Sequence, residues 1–168
     1  IDFQLKAVEI CRKLELGRLE SSILNDIGTT YLNLKEWDKA IEYFNKAIAL
    51  SEVENNSGAL ASAYHNLGSA QIRKENYSLA IQCFNKALEL NTELGTDREL
   101  IPLAINMGYV NEKRGNYALA EANYKKGLQM AKEKGQKGYE LAALVYFSTF
   151  HLNLKEFKKS LVYSKQSL

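Results

Sequence analysis

Proline is nearly missing from this chain of 168 residues: only Pro102 occurs, beside ten glycines. A proline-rich linker is thereby excluded, and helices can run without interruption. Cysteine is scarce as well. Cys11 and Cys83 lie far apart and in no motif, so they read as two small, half-buried residues of a reducing compartment, with a disulfide or a metal role as the alternative. No apolar run approaches the ~20 residues that cross a bilayer. The longest, residues 141–147, ends at Ser148. Neither sign of charge prevails: 22 Lys and Arg face 20 Asp and Glu, a net charge of +2. That balance argues against nucleic acid or an anionic membrane as the partner of this region, because both need a concentrated basic surface. Metal clusters, phosphate loops and nucleophile motifs are also missing, so no cofactor is implied. The chain begins Ile1-Asp2-Phe3, without Met and without a signal-peptide pattern. A piece of a longer parent is the expectation, placed in the cytoplasm, with the periplasm left open.

What the chain has is a normal globular composition, 46% hydrophobic and 25% charged, and a strict repeat. Shifted by forty residues the sequence meets itself. Gly28, Gly68, Gly108 and Ser148 align, as do Ala40, Ala80, Ala120 and Ser160. An aromatic recurs at Trp37, Tyr77, Tyr117 and Phe157, another at Phe44, Phe84 and Tyr124, and the register never slips.

Each unit reads as two helices. Ile23, Leu24, Ile27, Tyr31 and Leu34 fall at threes and fours, one helical face, and Ile41, Phe44 and Ile48 repeat the pattern after Trp37. The breaks at Lys35-Glu36, Glu75-Asn76, Gly115-Asn116 and Lys155-Glu156 are too short for anything but antiparallel hairpins. Gly28 and Ala40 are expected where the two helices come closest, and Trp37 and its equivalents are expected to fill the space near the turn. Units are linked through Asn55–Gly58, 95–97 and 135–138. Thr96-Asp97-Arg98-Glu99 matches a capping box, while Pro102 sits deep enough to delay or bend the helix start. A hairpin alone cannot bury its outer face, so the units stack and share a core. The expected class is all-α, an α-α superhelix built as a solenoid of stacked hairpins. Its segments are residues 1–17 (second helix of a partial repeat), 18–57, 58–97, 98–137 and 138–168 (truncated).

Leu24-x-x-Ile27-Gly28-x-x-Tyr31 followed by Ala40, Phe44 and Ala47 resembles the tetratricopeptide repeat (TPR) consensus. So do Tyr64-x-x-Leu67-Gly68 with Ala80, Phe84 and Ala87, and Met107-Gly108 with Ala120 and Tyr124. The fourth unit keeps the hydrophobic pattern and has Ser at both small sites. The forty-residue period resembles the longer repeats of kinesin light chains, of peptide-pheromone receptors of Gram-positive bacteria, and of bacterial sensor and regulator modules.

The resemblance implies that the first helix of each unit lines a concave groove that binds a protein or an extended peptide. The implied groove residues are Ser22, Asn25, Asp26, Thr29 and Asn33 in the first unit, and Ser62, His65, Asn66, Ser69 and Arg73 in the second. The third offers Pro102, Ile105, Asn106, Tyr109 and Lys113, and the fourth Ala142, Val145, Tyr146, Thr149 and Asn153. Asn66 and Asn106 are singled out, since an amide offers both a donor and an acceptor to a peptide backbone. The alternative is that both are ordinary solvated asparagines. Arg73 and Lys113 would favour an acidic ligand, or else are plain surface charges. The carboxylate clamp of chaperone-binding relatives does not match, because its places hold Asn25, Thr29, Pro102 and Asn106.

Catalysis has little support. His65 is expected in the groove and His151 in the core, neither with a partner at a recognisable spacing. The resulting expectation is no enzyme but a protein- or peptide-binding module, serving as sensor or interaction domain of a larger bacterial signalling or transcription-regulatory protein. Alternatives are a passive assembly scaffold, or a regulatory segment of an enzyme such as a sensor kinase. Both ends look uncapped, so self-association is also expected.

Overall fold

The computed structural model describes residues 1–96 and 99–166, and every regular element in them is a helix. Contacts divide the chain into two compact units, Ile1–Thr96 and Asp97–Leu168. The first holds α1 (Asp2–Lys13), α2 (Gly17–Asn33), α3 (Trp37–Val53), α4 (Ser57–Arg73) and α5 (Tyr77–Glu93). The second holds α6 (Leu100–Lys113), α7 (Tyr117–Glu133), α8 (Lys137–Asn153) and α9 (Phe157–Gln166).

The forty-residue period is the sum of two equal parts. Most helices are 17 residues long, and three residues separate one from the next. Every turn has the same backbone. Glu15, Lys35, Asn55, Glu75, Gly95, Gly115, Gly135 and Lys155 all have positive φ, one every twenty residues. Around the first such hairpin Glu36 donates its N–H to the Tyr31 carbonyl at 3.0 Å and Lys35 donates to Leu32 at 3.1 Å. This is the Schellman closure that satisfies the last carbonyls of a helix. The turn between repeats copies it, with Asn56 donating to Ser51 and Asn55 to Glu52. Only three of these left-handed positions hold glycine, so five carry the steric cost of a Cβ. Asn56 adds a side-chain cap by accepting from the Ala59 N–H at 3.3 Å.

In the first unit α2 pairs with α3 and α4 with α5. Their core joins Leu24, Ile27, Ala40, Phe44, Ala47, Ala63, Leu67 and Ala70. Ala40 is fully buried, as its size suggested. The close partner of Gly28, however, is the Phe44 ring. A Cβ at Gly28 would lie 2.5 Å from that ring, and one at Gly68 would lie 2.6 Å from the Phe84 ring. The glycine makes room for the second aromatic of the repeat rather than for the alanine. The first aromatic is only partly enclosed near the turn: Tyr77 is half-buried and the others are exposed. Trp37, Tyr117 and Phe157 each open a helix and stay 36–64% exposed. The register explains this. The first residue of the second helix sits beyond the end of its partner, whereas Phe44, Phe84 and Tyr124 come two turns later, between both helices.

The second unit repeats the scheme, and a Cβ at Gly108 would lie 2.6 Å from the Tyr124 ring. Its α6 begins at Leu100, so Pro102 lies in the first turn, where its missing N–H would have had no helical acceptor. Asp97 and Arg98 of the capping box lie outside the described residues. The Thr96 hydroxyl engages Asn91, 2.7 Å from its Oδ1. In the last hairpin the glycine and the aromatic are exchanged together: Ser148 Oγ stands 2.7 Å from Ser164 Oγ and donates to the Ser160 carbonyl at 3.1 Å. Tyr163, one residue earlier, supplies the ring and stacks on Phe147 at 4.3 Å.

Side chains also tie the turns. Asn76 Nδ2 donates to Gln71 Oε1 at 2.9 Å, where the repeat loses its consensus tyrosine. His151 holds the same place in the last hairpin. It is 1% exposed, stacks on Tyr163, and has Nδ1 2.7 Å from Glu156 Oε2. The partner that the sequence did not reveal lies five residues on, across the turn.

Candidate peptide-binding face

Helices α2 and α4 lie side by side in the first unit, and so do α6 and α8 in the second. The stripes between their core positions form the candidate face. On the first unit this face is polar. Asn66 Nδ2 donates to Asn25 Oδ1 at 3.0 Å, joining the two helices. Asn66 is half-buried, and half of its amide is engaged before any ligand arrives. Thr29 and Ser69 are half-buried, and their hydroxyls donate at 3.1 Å to the carbonyls of Asn25 and His65. Ser22 and Ser62 likewise donate to Arg18 and Gly58. With their hydrogens turned into the helix, these oxygens present lone pairs outward. Ser22, Asn25, Asp26, Asn56 and Ser62 surround a concavity of about 310 Å³. Asp26, Asn33 and Arg73 are exposed, and His65 is half-buried with its ring 5.8 Å from that of Phe84.

On the second unit the face changes character. Asn106 is half-buried at the place of Asn66, but the next helix puts Tyr146 there. Tyr146 stacks on buried Tyr124 at 6.3 Å and meets the edge of Tyr109 at 6.0 Å. Lys113 is exposed, and its ammonium lies over the Tyr109 ring, 5.3 Å from the centroid. Glu112 accepts from Tyr124 Oη and from Asn153 Nδ2, each at 2.9 Å. Burial, followed by the charge of Glu112, pushes the Tyr124 phenol above its ordinary range. The polar links Asn25–Asn66 and Glu112–Asn153 have the same offset of 41 residues. That offset is one more than the repeat, since neighbouring first helices meet slightly out of register. Scanning the sequence for polar pairs at forty-one would have found both.

His151 is enclosed, so it offers no acid–base group at the surface. Among the described residues no three His, Cys, Asp or Glu side chains converge as metal ligands, and no helix is long and apolar enough to cross a membrane. Cys11 is buried and Cys83 half-buried; both are free thiols, and burial raises that of Cys83.

No curated protein sequence matches the chain. Among solved structures it is similar to BtubC (BKLC) from P. vanneervenii, with 16% identity and a TM-score of 0.80 over 90% of this chain and 63% of that one. It is also similar to a Signal Transduction ATPase with Numerous Domains (STAND) protein with a tetratricopeptide repeat sensor from Pyrococcus horikoshii. That match has 24% identity and a TM-score of 0.81 over 98% of this chain and 26% of that one. A Rap protein complexed with Competence and Sporulation Factor matches with 15% identity and a TM-score of 0.79, over 99% of this chain and 56% of that one. The chain thus spans less than two thirds of each, and at these identities the likeness is one of fold. The tetratricopeptide repeat family model matches residues 19–93 and again 59–133. The two matches cover three hairpins and stop before the serine-substituted fourth, and on them the chain belongs to the tetratricopeptide repeat family.

Proposed function

We propose that this chain is a peptide- and protein-binding module, the sensor or interaction segment of a larger bacterial signalling or transcription-regulatory protein. Solenoids of this kind offer extended concave surfaces to their partners. The Rap protein in complex with its factor and the repeat sensor of the STAND protein are similarly folded, and they support this reading by analogy. The observation that carries it is the polar concavity between α2 and α4, with Asn25 on its wall and Asn66 bonded to Asn25 beside it. Asn66 keeps its carbonyl oxygen for a ligand N–H, Asn25 keeps its amide N–H₂ for a ligand carbonyl, and the serine oxygens add acceptors. Such a wall suits the backbone of an extended peptide whatever its side chains. In the second unit Asn106 takes the corresponding role.

The test begins with a random-peptide library screened on this chain. For the best binder, the double change Asn66→Ala/Asn106→Ala is expected to weaken affinity by roughly one to two decades, from ~0.5–1.5 kcal/mol per hydrogen bond. Asn66→Ala also breaks the link to Asn25, so a small fall in melting temperature accompanies it. Asn66→Asp keeps an acceptor and serves as the partial control. Undiminished binding by the double variant sinks the amide reading and moves the site to another face.

A further inference from the structure

The net charge of +2 conceals a division between the two units. Residues 1–96 carry ten Lys and Arg against thirteen Asp and Glu, a net −3, while residues 97–168 carry twelve against seven, a net +5. The α6/α8 face lies in the basic half. There the acidic neighbour of Lys113 is occupied: both oxygens of Glu112 accept hydrogen bonds, from Tyr124 and Asn153. Lys113 forms no ion pair among the described residues, and its ammonium rests over the Tyr109 ring. Beside it Tyr146 is 41% exposed although its inner ring face is stacked on Tyr124. Rings held in place by other rings lose little entropy on binding, which makes them good contact surfaces for an apolar side chain. At the corresponding places eighty residues back, on the α2/α4 face of the first unit, stand Thr29, Asn33 and Asn66.

From this we infer that Tyr109, Tyr146 and Lys113 form a side-chain subsite on the second unit. It takes a bulky apolar or aromatic residue flanked by a carboxylate. The apolar group lies against the exposed part of Tyr146 and the Tyr109 edge, and the carboxylate pairs with Lys113. The inference rests on the reading of the α6/α8 face as ligand-binding, and it adds a specificity that the amide residues cannot supply. Apolar contact and charge pairing are needed together, because an exposed ion pair by itself contributes little.

The test uses fluorescein-labelled peptides of nine residues, Gly/Ser throughout except for a central cassette of Glu-Phe-Glu, Glu-Ala-Glu or Lys-Phe-Lys. Anisotropy titrations are run against the full chain. Glu-Phe-Glu is expected to bind about tenfold tighter than either control. That preference is expected to vanish in Tyr146→Asn, which restores the residue found at Asn66 and Asn106, and to reverse toward Lys-Phe-Lys in Lys113→Glu. Circular dichroism confirms the helices of each variant, and Lys113→Glu, at an exposed site, keeps the test open should Tyr146→Asn unfold. Equal binding of the three cassettes to the wild type, or a preference that survives both variants, overturns the subsite. If those cassettes bind equally while the library-selected peptide still loses affinity in Asn66→Ala/Asn106→Ala, the subsite fails and the amide reading stands. If that loss is missing too, both fall.

Discussion

One substitution placed at two positions of a single helix should have opposite effects. In α4, Gly58 lies in the first turn, and a Cβ there would meet nothing nearer than Asn56 Oδ1 at 3.9 Å. Gly58→Ala therefore gains the helix propensity of alanine, about 0.5–1 kcal/mol, with no steric cost. Ten residues on, Gly68 faces the Phe84 ring, where a Cβ would lie 2.6, 2.8 and 3.0 Å from three ring carbons. Ordinary contact begins near 3.4 Å. Phe84 cannot withdraw easily, since it is fully buried and its other surfaces are packed, one of them against His65. Overpacking of this kind costs about 1–3 kcal/mol. With the clash at the upper end of that range and propensity returning about 1 kcal/mol, Gly68→Ala should be destabilising by about 1–2 kcal/mol. In thermal melts followed by circular dichroism, a chain of this size shifts by ~2–4 °C per kcal/mol. The two variants should thus melt several degrees apart, on either side of the wild type. Gly68→Ala combined with Phe84→Leu should recover part of the loss, because the shorter side chain leaves room for the methyl group. A Gly68→Ala protein that melts at or above the wild type would refute the reasoning: the ring would then not be the constraint that reserves this site for glycine.

Other outcomes follow from the same packing. Glu75 has φ of 59°, so Glu75→Gly should raise the urea midpoint by up to ~1 kcal/mol in stability, whereas Gly115→Ala, at φ 78° with open space around it, should lower it; equal midpoints would count against strain at the turns. The Tyr124 phenol is raised in the folded state, so its contribution is present below the unfolded value near ~10 and is lost as pH climbs beyond it. Tyr124→Phe should cost about 1 kcal/mol at neutral pH and flatten part of the alkaline decline, and an unchanged alkaline limb would contradict this. Phe3, Ile10 and Leu14 near one end, and Phe157, Leu161 and Val162 near the other, are more than half exposed, so sedimentation at rising concentration should show self-association, and a strict monomer would argue against it.

The repeat, the hairpins and the all-helical class could be read from the sequence because each depends on local, periodic information. Gly28, Ala40 and Phe44 recur at fixed spacing since every hairpin solves the same packing problem. The period and its breaks every twenty residues were legible, but the left-handed backbone at the breaks that hold lysine or glutamate was not. Glu15, Lys35 and Glu75 do not look like left-handed residues, and only hydrogen bonds such as Glu36 to Tyr31 force them there. The candidate face was legible as a stripe of residues from Asn25 to Lys113, yet not its chemistry. Whether an asparagine is solvated, or a glutamate free to repel a ligand, depends on what lies across the neighbouring helix. Asn66 is met by Asn25, and Glu112 by Tyr124 and Asn153. His151 looked like a hydrophobic replacement and gains its carboxylate only when the chain turns back at Lys155. Periodicity fixes which side of a helix a residue occupies; only packing of one helix on the next decides what that residue touches, because such contacts join residues of different helices, twelve apart for Glu112 and Tyr124 and forty-one for Asn25 and Asn66, whose identities no local pattern constrains.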